Sequence, residues 1–388
     1  MALERINAVG TSFFGRGSIG LLPDELKKRG FKRGLIVTDP FLYENGTGDK
    51  VGACLLKAGV EYAIYYLVEP NPSTSVVNDC LEAARTLGVD LLVAVGGGSA
   101  IDTAKAVSIV MANGGRVEDY EGLNRSRNPG IPIVAVNTTA GTGSEVTSFY
   151  IVTDPERHSK MCMVDPNSMV TIAVNDVDLM MSMPKSLTAS TGMDAMTHAI
   201  EAAVSKRATP FTDKDALWAM GVVRTYLPEA VADGSNVKAR EMMAYGEYSA
   251  GMAFSNAGLG MVHAMAHPLG GLRNLPHGIC NAVLLPVVME FNGSRPETAE
   301  RYKKVAEGLK LPGAAAMTGQ QAVKESVACI RRLLKEVGIT QNLRDLKVAP
   351  EDFKALSEAA MLDPCMEDNP FKPTVQQVIA VYGKAYGI

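Results

Sequence analysis

Between Gly34 and Thr139 the chain alternates short apolar runs with longer stretches of helical period. GLIVTD (34–39) is rich in branched residues and ends on an acid. DKVGACLLKAG then repeats its apolar positions every three to four residues and closes at Gly59. YAIYYLVEP (62–70) is a strand-like run halted by a PNP turn, and SVVNDCLEAARTLG returns to helical period. LLVAVGGGS (91–99) reads as a strand buried on both faces, AIDTAKAVSIVMAN as a helix, and IPIVAVNTT (131–139) as another strand. Strands alternating with helices at this spacing predict βαβ units, and so a parallel sheet with helices flanking it. From about residue 185 the period becomes helical throughout. LTASTGMDAMTHAIEAAVSK has Thr188 or Ser190 as its N-cap, and TDKDALWAMGVVRTYL stops at Pro228. KAREMMAYGEYSAGMAFSN runs up to glycines 258 and 260, and GQQAVKESVACIRRLLKEVG ends at Gly338. The pattern therefore predicts an α/β domain over residues 1–184 and an all-helical domain over 185–388, with a functional cleft between them.

Composition narrows the class. Of the 388 residues 47% are apolar and 21% charged, which suits a soluble globular chain with a large core. The net charge of −4 carries no long run of one sign, which argues against a nucleic-acid partner. No run of about 18 apolar residues occurs, so no membrane partner is expected, and the N-terminus has neither a signal nor a transit pattern. Six scattered cysteines with no CxxC pair oppose a thiolate zinc site and a disulfide framework. A reducing, cytoplasmic setting is expected.

Two features carry chemistry. The first is a pair of small-residue loops at strand ends. VGGGSAID (95–102) joins a strand to a helix, where glycines let backbone N–H groups approach a phosphate at a helix N-terminus. Gly96 and Gly98 fit a GxGxxG pattern but Ile101 breaks it. NTTAGTGSE (137–145) ends the next strand in the same style. Asp39, ending the first strand, is a carboxylate suited to ribose hydroxyls, or else a helix cap.

The second feature is the clustering of histidines. Of five in the chain, His263, His267 and His277 fall within twenty residues, and His198 sits four after Asp194. His263 and His267 are also four apart, so each pair shares a helix face. Asp194 and His198 interrupt a helix of small apolar residues, where an unpaired buried charge is costly and a divalent cation removes the cost. One carboxylate with two or three imidazoles suits Zn²⁺ or Fe²⁺ rather than Ca²⁺ or Mg²⁺. His158, in the polar turn PERHSK, reads as a surface residue.

The segments GGGSAIDTAKA, NTTAGTGSEVT, TASTGMDAMTHAIEA, GMAFSNAGLGMVHAMAHPLGG and NLPHGICNAVLLP, in this order, resemble the iron-containing (group III) alcohol dehydrogenases nearly end to end. The resemblance implies a dinucleotide-binding α/β domain followed by a helical metal- and substrate-binding domain. It implies an NAD(H)-linked alcohol dehydrogenase or aldehyde reductase acting on small alcohols and aldehydes, with Fe²⁺, or alternatively Zn²⁺, as its metal. By that resemblance Asp194, His198, His263 and His277 hold the metal, and His267 takes part in proton traffic. The cofactor side carries over as Asp39 at the adenine ribose, with Asn71, Gly97, Gly98, Ser99, Thr138, Thr139, Thr142, Lys160 and Leu179. Phe149, Phe254 and Cys365 align with substrate-pocket positions, and a homo-oligomer, a dimer or larger, is implied.

The chain departs from its relatives at Leu272 and Arg273, where aromatic residues are common, at Val287 and at NPFK (369–372). Arg273, close to His277, raises the expectation of a carboxylated or sulfonated short aldehyde as substrate. The alternatives are an NAD- and metal-dependent lyase of the dehydroquinate synthase type, for which no matching set of basic residues occurs, and a non-catalytic metal- or nucleotide-binding protein.

Overall fold

A computed structural model describes residues 5–157, 159–273 and 275–387; His158 lies outside them. The chain divides into two compact units, Ile6–Ser182 and a second from Met183 onward.

The first unit contains strands β1 (Thr11–Phe14), β2 (Arg33–Val37), β3 (Glu61–Tyr65), β4 (Leu91–Gly96), β5 (Gly122–Leu123), β6 (Ile133–Asn137), β7 (Phe149–Asp154), β8 (Ser159–Val164) and β9 (Ile172–Asn175). Its helices are α1 (Leu22–Arg29), α2 (Pro40–Glu44), α3 (Thr47–Lys57), α4 (Thr74–Leu87) and α5 (Gly98–Asn113). Six strands form a parallel sheet in the order β1-β9-β6-β4-β2-β3. The central strands β4 and β6 are buried along their whole length, as continuous apolar runs in a two-sided parallel sheet must be. Strand succession reverses between β2 and β4, and such a switch point opens a crevice at the strands' carboxyl ends. The period-2 reading did not anticipate a second sheet, β5-β8-β7, whose β7–β8 pair is antiparallel.

The second unit is helical. It comprises α6 (Lys185–Val204), α7 (Pro210–Ala232), α8 (Val237–Ala257), α9 (Met261–Arg273), α10 (His277–Gly293), α11 (Pro296–Gly308), α12 (Gly319–Glu336), α13 (Phe353–Leu362), α14 (Cys365–Asp368) and α15 (Val375–Tyr386). Two expected helix ends are corrected. α6 begins one turn before Thr188, with Pro184 at its N-cap. Thr188 instead donates to the Pro184 carbonyl at 3.1 Å and accepts from the buried Arg240 at 2.7 Å. Arg240 also donates to the Met183 and Gly234 carbonyls, so a buried guanidinium ties down the entry to the helix. α7 runs through Pro228 to Ala232. Pro228 and Arg224 are both part-exposed, so water can meet the Arg224 carbonyl that proline leaves without a helical donor.

Candidate metal centre and cofactor loops

Three helices each present a pair of residues four apart: Asp194 and His198 on α6, His263 and His267 on α9, His277 and Asn281 on α10. His198, His263, His277 and Asn281 converge on one oxygen of Asp194. Asp194 Oδ1 lies 3.8 Å from His198 Nε2, 3.7 Å from His263 Nε2 and 3.6 Å from His277 Nε2. The donor atoms of Asp194, His263 and His277 lie within 4.8 Å of one another, while the His198 ring stacks on His263 at 4.6 Å. Gly278 allows the approach of α10, because a Cβ there would press on the Ser190 carbonyl of α6.

The donor set fits a divalent metal. Four ligands held tetrahedrally at about 2.0–2.2 Å would stand roughly 3.3–3.6 Å apart, close to the observed separations from Asp194. The charge balance also calls for a cation. Glu201, one turn beyond His198, accepts from Val262 N at 2.6 Å and pairs with His263 Nδ1 at 2.5 Å. With Glu201 holding the Nδ1 proton, His263 has only its Nε2 proton to release before it offers a metal a lone pair on the side of Asp194. Burial disfavours charge on His263, yet the carboxylates of Glu201 and Asp194 prevail and raise it to about 9. Burial likewise opposes ionisation of Asp194, but His198, His277 and His263 hold it well below the usual carboxylate range. Asn281 supplies a further contact: its amide nitrogen lies 2.6 Å from Asp194 Oδ1, 3.0 Å from His263 Nε2 and 3.1 Å from His277 Nε2.

His267 is edge-on to His263 and stacked with His277 at 5.4 Å. Its Nδ1 lies 2.7 Å from Asp363 Oδ2, and Asp363 is itself held by the Cys365 backbone N–H at 2.8 Å. Burial raises the Asp363 acid, but His267 and Cys365 outweigh it and keep the carboxyl below its ordinary value. Asp363 therefore accepts and His267 donates from Nδ1, which leaves Nε2 as the nitrogen not engaged by Asp363. Phe254 stacks on His198 at 4.2 Å, and Cys365 is buried beside the His267–Asp363 pair.

Arg273 turns out to be engaged: its guanidinium pairs with Asp352, with Nε 3.0 Å from Oδ2. Leu272 is exposed and Val287 buried. In NPFK, Asn369 accepts from Met261 N at 3.1 Å and so caps α9, while Phe371 lies under the Arg295 guanidinium.

In the α/β unit the expected cofactor residues cluster at carboxyl ends of parallel strands. Asp39 follows β2, Gly97, Gly98 and Ser99 follow β4, Thr138, Thr139 and Thr142 follow β6, and Leu179 closes the turn after β9. Asp39 is the N-cap of α2, accepting from Leu42 N at 2.9 Å through Oδ1. Its Oδ2 faces Gly96 across the β2/β4 switch, where a Cβ on Gly96 would lie 3.9 Å away. Capping thus uses Oδ1, while Oδ2 lies toward the switch point. Gly96 has φ +151°, and Cβ atoms on Gly97 and Gly98 would stand 2.8 and 3.0 Å from Thr139 and Thr142, so only glycines let the two loops pack together. No side chain caps α5, leaving its first-turn amides available to an anion, which fits a pyrophosphate. Asn71 sits in a left-handed turn (φ 56°) with Lys160 Nζ 2.6 Å from its Oδ1. Phe149 begins β7.

Sequence reasoning missed Glu201, Asn281 and Asp363. The first two stand at helical spacing from residues already singled out, and that signal was available; Asp363 is 96 residues from its partner and gave none.

Known proteins match along the whole length. Residues 10–177 match the family described as iron-containing alcohol dehydrogenase, and residues 188–386 the C-terminal part of the Fe-containing alcohol dehydrogenase family. Lactaldehyde reductase of Escherichia coli K12 is 42% identical over 380 residues, 97% of this chain and 98% of that protein. NAD-dependent methanol dehydrogenase of Bacillus methanolicus is 41% identical over 374 residues, covering 96% and 97%. A crystal structure of 1,3-propanediol oxidoreductase superposes with a TM-score of 0.94 at 41% identity, covering 99% of this chain and all of that one. The chain belongs to the iron-containing alcohol dehydrogenase family and is a metal-dependent, NAD-linked oxidoreductase of that family.

Proposed function

We propose that this chain reduces a short, uncharged aldehyde with NADH, or oxidises the matching alcohol with NAD, using Fe²⁺ held by Asp194, His198, His263 and His277. The same donors accept Zn²⁺. The observation that carries the reading is the convergence of three imidazole nitrogens on Asp194 Oδ1 inside a buried, doubly acidic pocket. When bound, the metal supplies Lewis-acid polarisation of the substrate oxygen, and the nicotinamide supplies or takes the hydride.

The chain's own residues do the rest. Glu201 fixes the His263 tautomer, and Asn281 steadies the Asp194 carboxylate. His267, its Nδ1 proton held by Asp363, takes up or gives a proton at Nε2 as substrate hydroxyl and carbonyl interconvert. Phe254 provides an apolar wall beside His198. Asp39, Asn71, Gly97, Gly98, Ser99, Thr138, Thr139, Thr142, Lys160 and Leu179 hold the dinucleotide, with Phe149 and Cys365 in the substrate pocket. The pairing of Arg273 with Asp352 favours an uncharged substrate, since the guanidinium would have to leave a carboxylate to bind an anion.

The test is NADH oxidation by anaerobically purified, metal-analysed protein with propanal, lactaldehyde and a carboxylated or sulfonated short aldehyde. A higher kcat/KM for the neutral aldehydes is expected. A strong preference for the anion that disappears in Arg273→Ala would restore the anionic reading, and no NADH oxidation with any of them would refute the activity. We further propose a cytoplasmic homo-oligomer: the six cysteines are buried and form no disulfide, and Trp218 and Leu362 expose apolar surface that a second copy would cover. Light scattering of the purified protein checks the assembly, and a monomer at micromolar concentration would contradict it.

A further inference from the structure

The segment NPFK (369–372) follows α14, glycines 258 and 260 precede α9, and the fold seats one against the other. Gly258 has φ +77°, and a Cβ there would overlap the Asp368 carboxylate. A Cβ on Gly260 would stand 3.1 Å from Asn369 Oδ1 and 3.0 Å from Glu201 Oε1. The two glycines thus leave room for the chain beyond α14 to reach the start of α9. Asn369 is 1% exposed and uses every hydrogen-bonding position of its amide. Its Oδ1 accepts from Met261 N at 3.1 Å and from Asn292 Nδ2 at 2.9 Å. Its Nδ2 donates to Asn292 Oδ1 at 3.1 Å and to the Phe371 carbonyl at 2.8 Å. Asn292, near the end of α10, is buried as well. Phe371 packs on Phe291 with ring centroids 5.3 Å apart, and the Arg295 guanidinium lies 4.4 Å from its ring centroid, so the segment is seated on the end of α10.

The first N–H groups of a helix have no partner within it. In α9, Met261 N is taken by Asn369 and Val262 N by Glu201, so side chains from two other segments fix the turn that carries His263. Two facing amides buried in a protein interior must be desolvated, and apolar side chains would fill that space without the cost. What the amide pair provides is direction: it ties the start of α9 to α10. These two helices carry His263 and His277, whose Nε2 atoms must both stand beside Asp194. A metal site tolerates displacements of only about 0.5 Å in its ligands. We propose that Asn369 and Asn292 are positioning residues, a buried amide clip that sets the start of α9 against α10, and so the spacing of His263 and His277 and the affinity for the metal. The inference rests on the reading of Asp194, His198, His263 and His277 as the metal ligands.

The experiment compares metal-free parent, Asn369→Ala and Asn292→Ala under anaerobic conditions. Zn²⁺ affinity is measured by competition with a chromophoric chelator, ligand geometry by the visible d–d absorption of the Co²⁺-loaded proteins, and stability by thermal unfolding. Asn369→Ala removes the acceptor of Met261 N together with the amide pair. It should weaken Zn²⁺ binding about tenfold or more and alter the Co²⁺ spectrum. Asn292→Ala leaves the Met261 bond in place but frees it from α10, and a smaller loss of Zn²⁺ affinity is expected. Both should also unfold earlier, since each strands buried polar groups. A variant that unfolds earlier yet keeps the parental Zn²⁺ affinity and Co²⁺ spectrum would reduce the pair to a packing role and overturn the proposal. Should Asn369→Ala not fold, Asn292→Ala decides by the same two readouts. Asp194→Ala separates the two levels. If Asp194→Ala binds Zn²⁺ as the parent does, the ligand reading itself fails; if it loses Zn²⁺ and the asparagine variants keep it, only the clip fails.

Discussion

Glu201→Gln changes one atom of a buried side chain and should weaken metal binding strongly. Both carboxylate oxygens of Glu201 act as acceptors, one for Val262 N and one for His263 Nδ1. A glutamine has a single acceptor oxygen, so its NH₂ must face one of these two groups. If the oxygen stays on Val262 N, the NH₂ confronts His263 Nδ1, which must then give up its proton. The proton moves to Nε2, where it points at Asp194 and blocks the lone pair a metal requires. If the amide turns the other way, the Val262 N–H is stranded at about 1–3 kcal/mol. Charge counting adds to the effect: Asp194 and Glu201 together neutralise a divalent cation, and the substitution removes half of that. Loss of an orienting partner of a metal-bound histidine costs about 10–100-fold in metal affinity, or roughly 1.4–2.7 kcal/mol. Competition with a chromophoric chelator under anaerobic conditions measures it, with NADH binding as a control that should not move. Metal affinity within about twofold of the parent would refute the tautomer argument.

Other substitutions probe separate parts of the account. His267→Ala should keep its metal while turnover falls by about 10²-fold or more, and steady-state assays across about pH 6–9 check this; unchanged turnover would remove His267 from proton transfer. Asp39→Gly sacrifices only a few tenths of a kcal/mol of capping, so a fall of about tenfold in the NADH-over-NADPH ratio of kcat/KM would report the lost carboxylate itself; an unmoved ratio would leave Asp39 as a cap alone. Gly278→Ala places a methyl against the Ser190 carbonyl and should destabilise by about 1–3 kcal/mol while loosening the metal. Urea unfolding and chelator titration follow both effects, and full stability would show that α10 need not approach α6 so closely.

Much of this architecture was legible in the chain, for identifiable reasons. Parallel strands buried on both faces write themselves as continuous runs, as in LLVAV of β4 and IVAV of β6. The strands β1 and β9 are four residues each and pair across some 160 positions, Thr11 with Ile172, so neither has a local signature. In the β7–β8 hairpin the burial of β7 alternates regularly, but its sequence FYIVTD puts apolar residues on both faces, and β8 does not alternate, so a period-2 reading passes over both. Pro228 reads as a stop because its local penalty is real, yet tertiary packing of the surrounding helix overrides it. In the site, Asp194 with His198 and His263 with His267 were visible because one helix carries both members of each pair. Glu201 and Asn281 obey the same spacing but look ordinary, an acid and an amide on helices with no obvious need of them. Asp363 and Asp352 meet their partners only through the fold, so neither pairing has a local signal in the chain.

The central claim is that Asp194 anchors one divalent cation on which the chemistry depends. Elemental analysis of anaerobically purified parent and Asp194→Ala protein, paired with NADH oxidation of propanal by the same samples, tests it most directly. About one iron or zinc per chain is expected in the parent, and neither metal nor turnover in the variant. An Asp194→Ala protein that retains stoichiometric metal, or that turns over without it, would contradict the account.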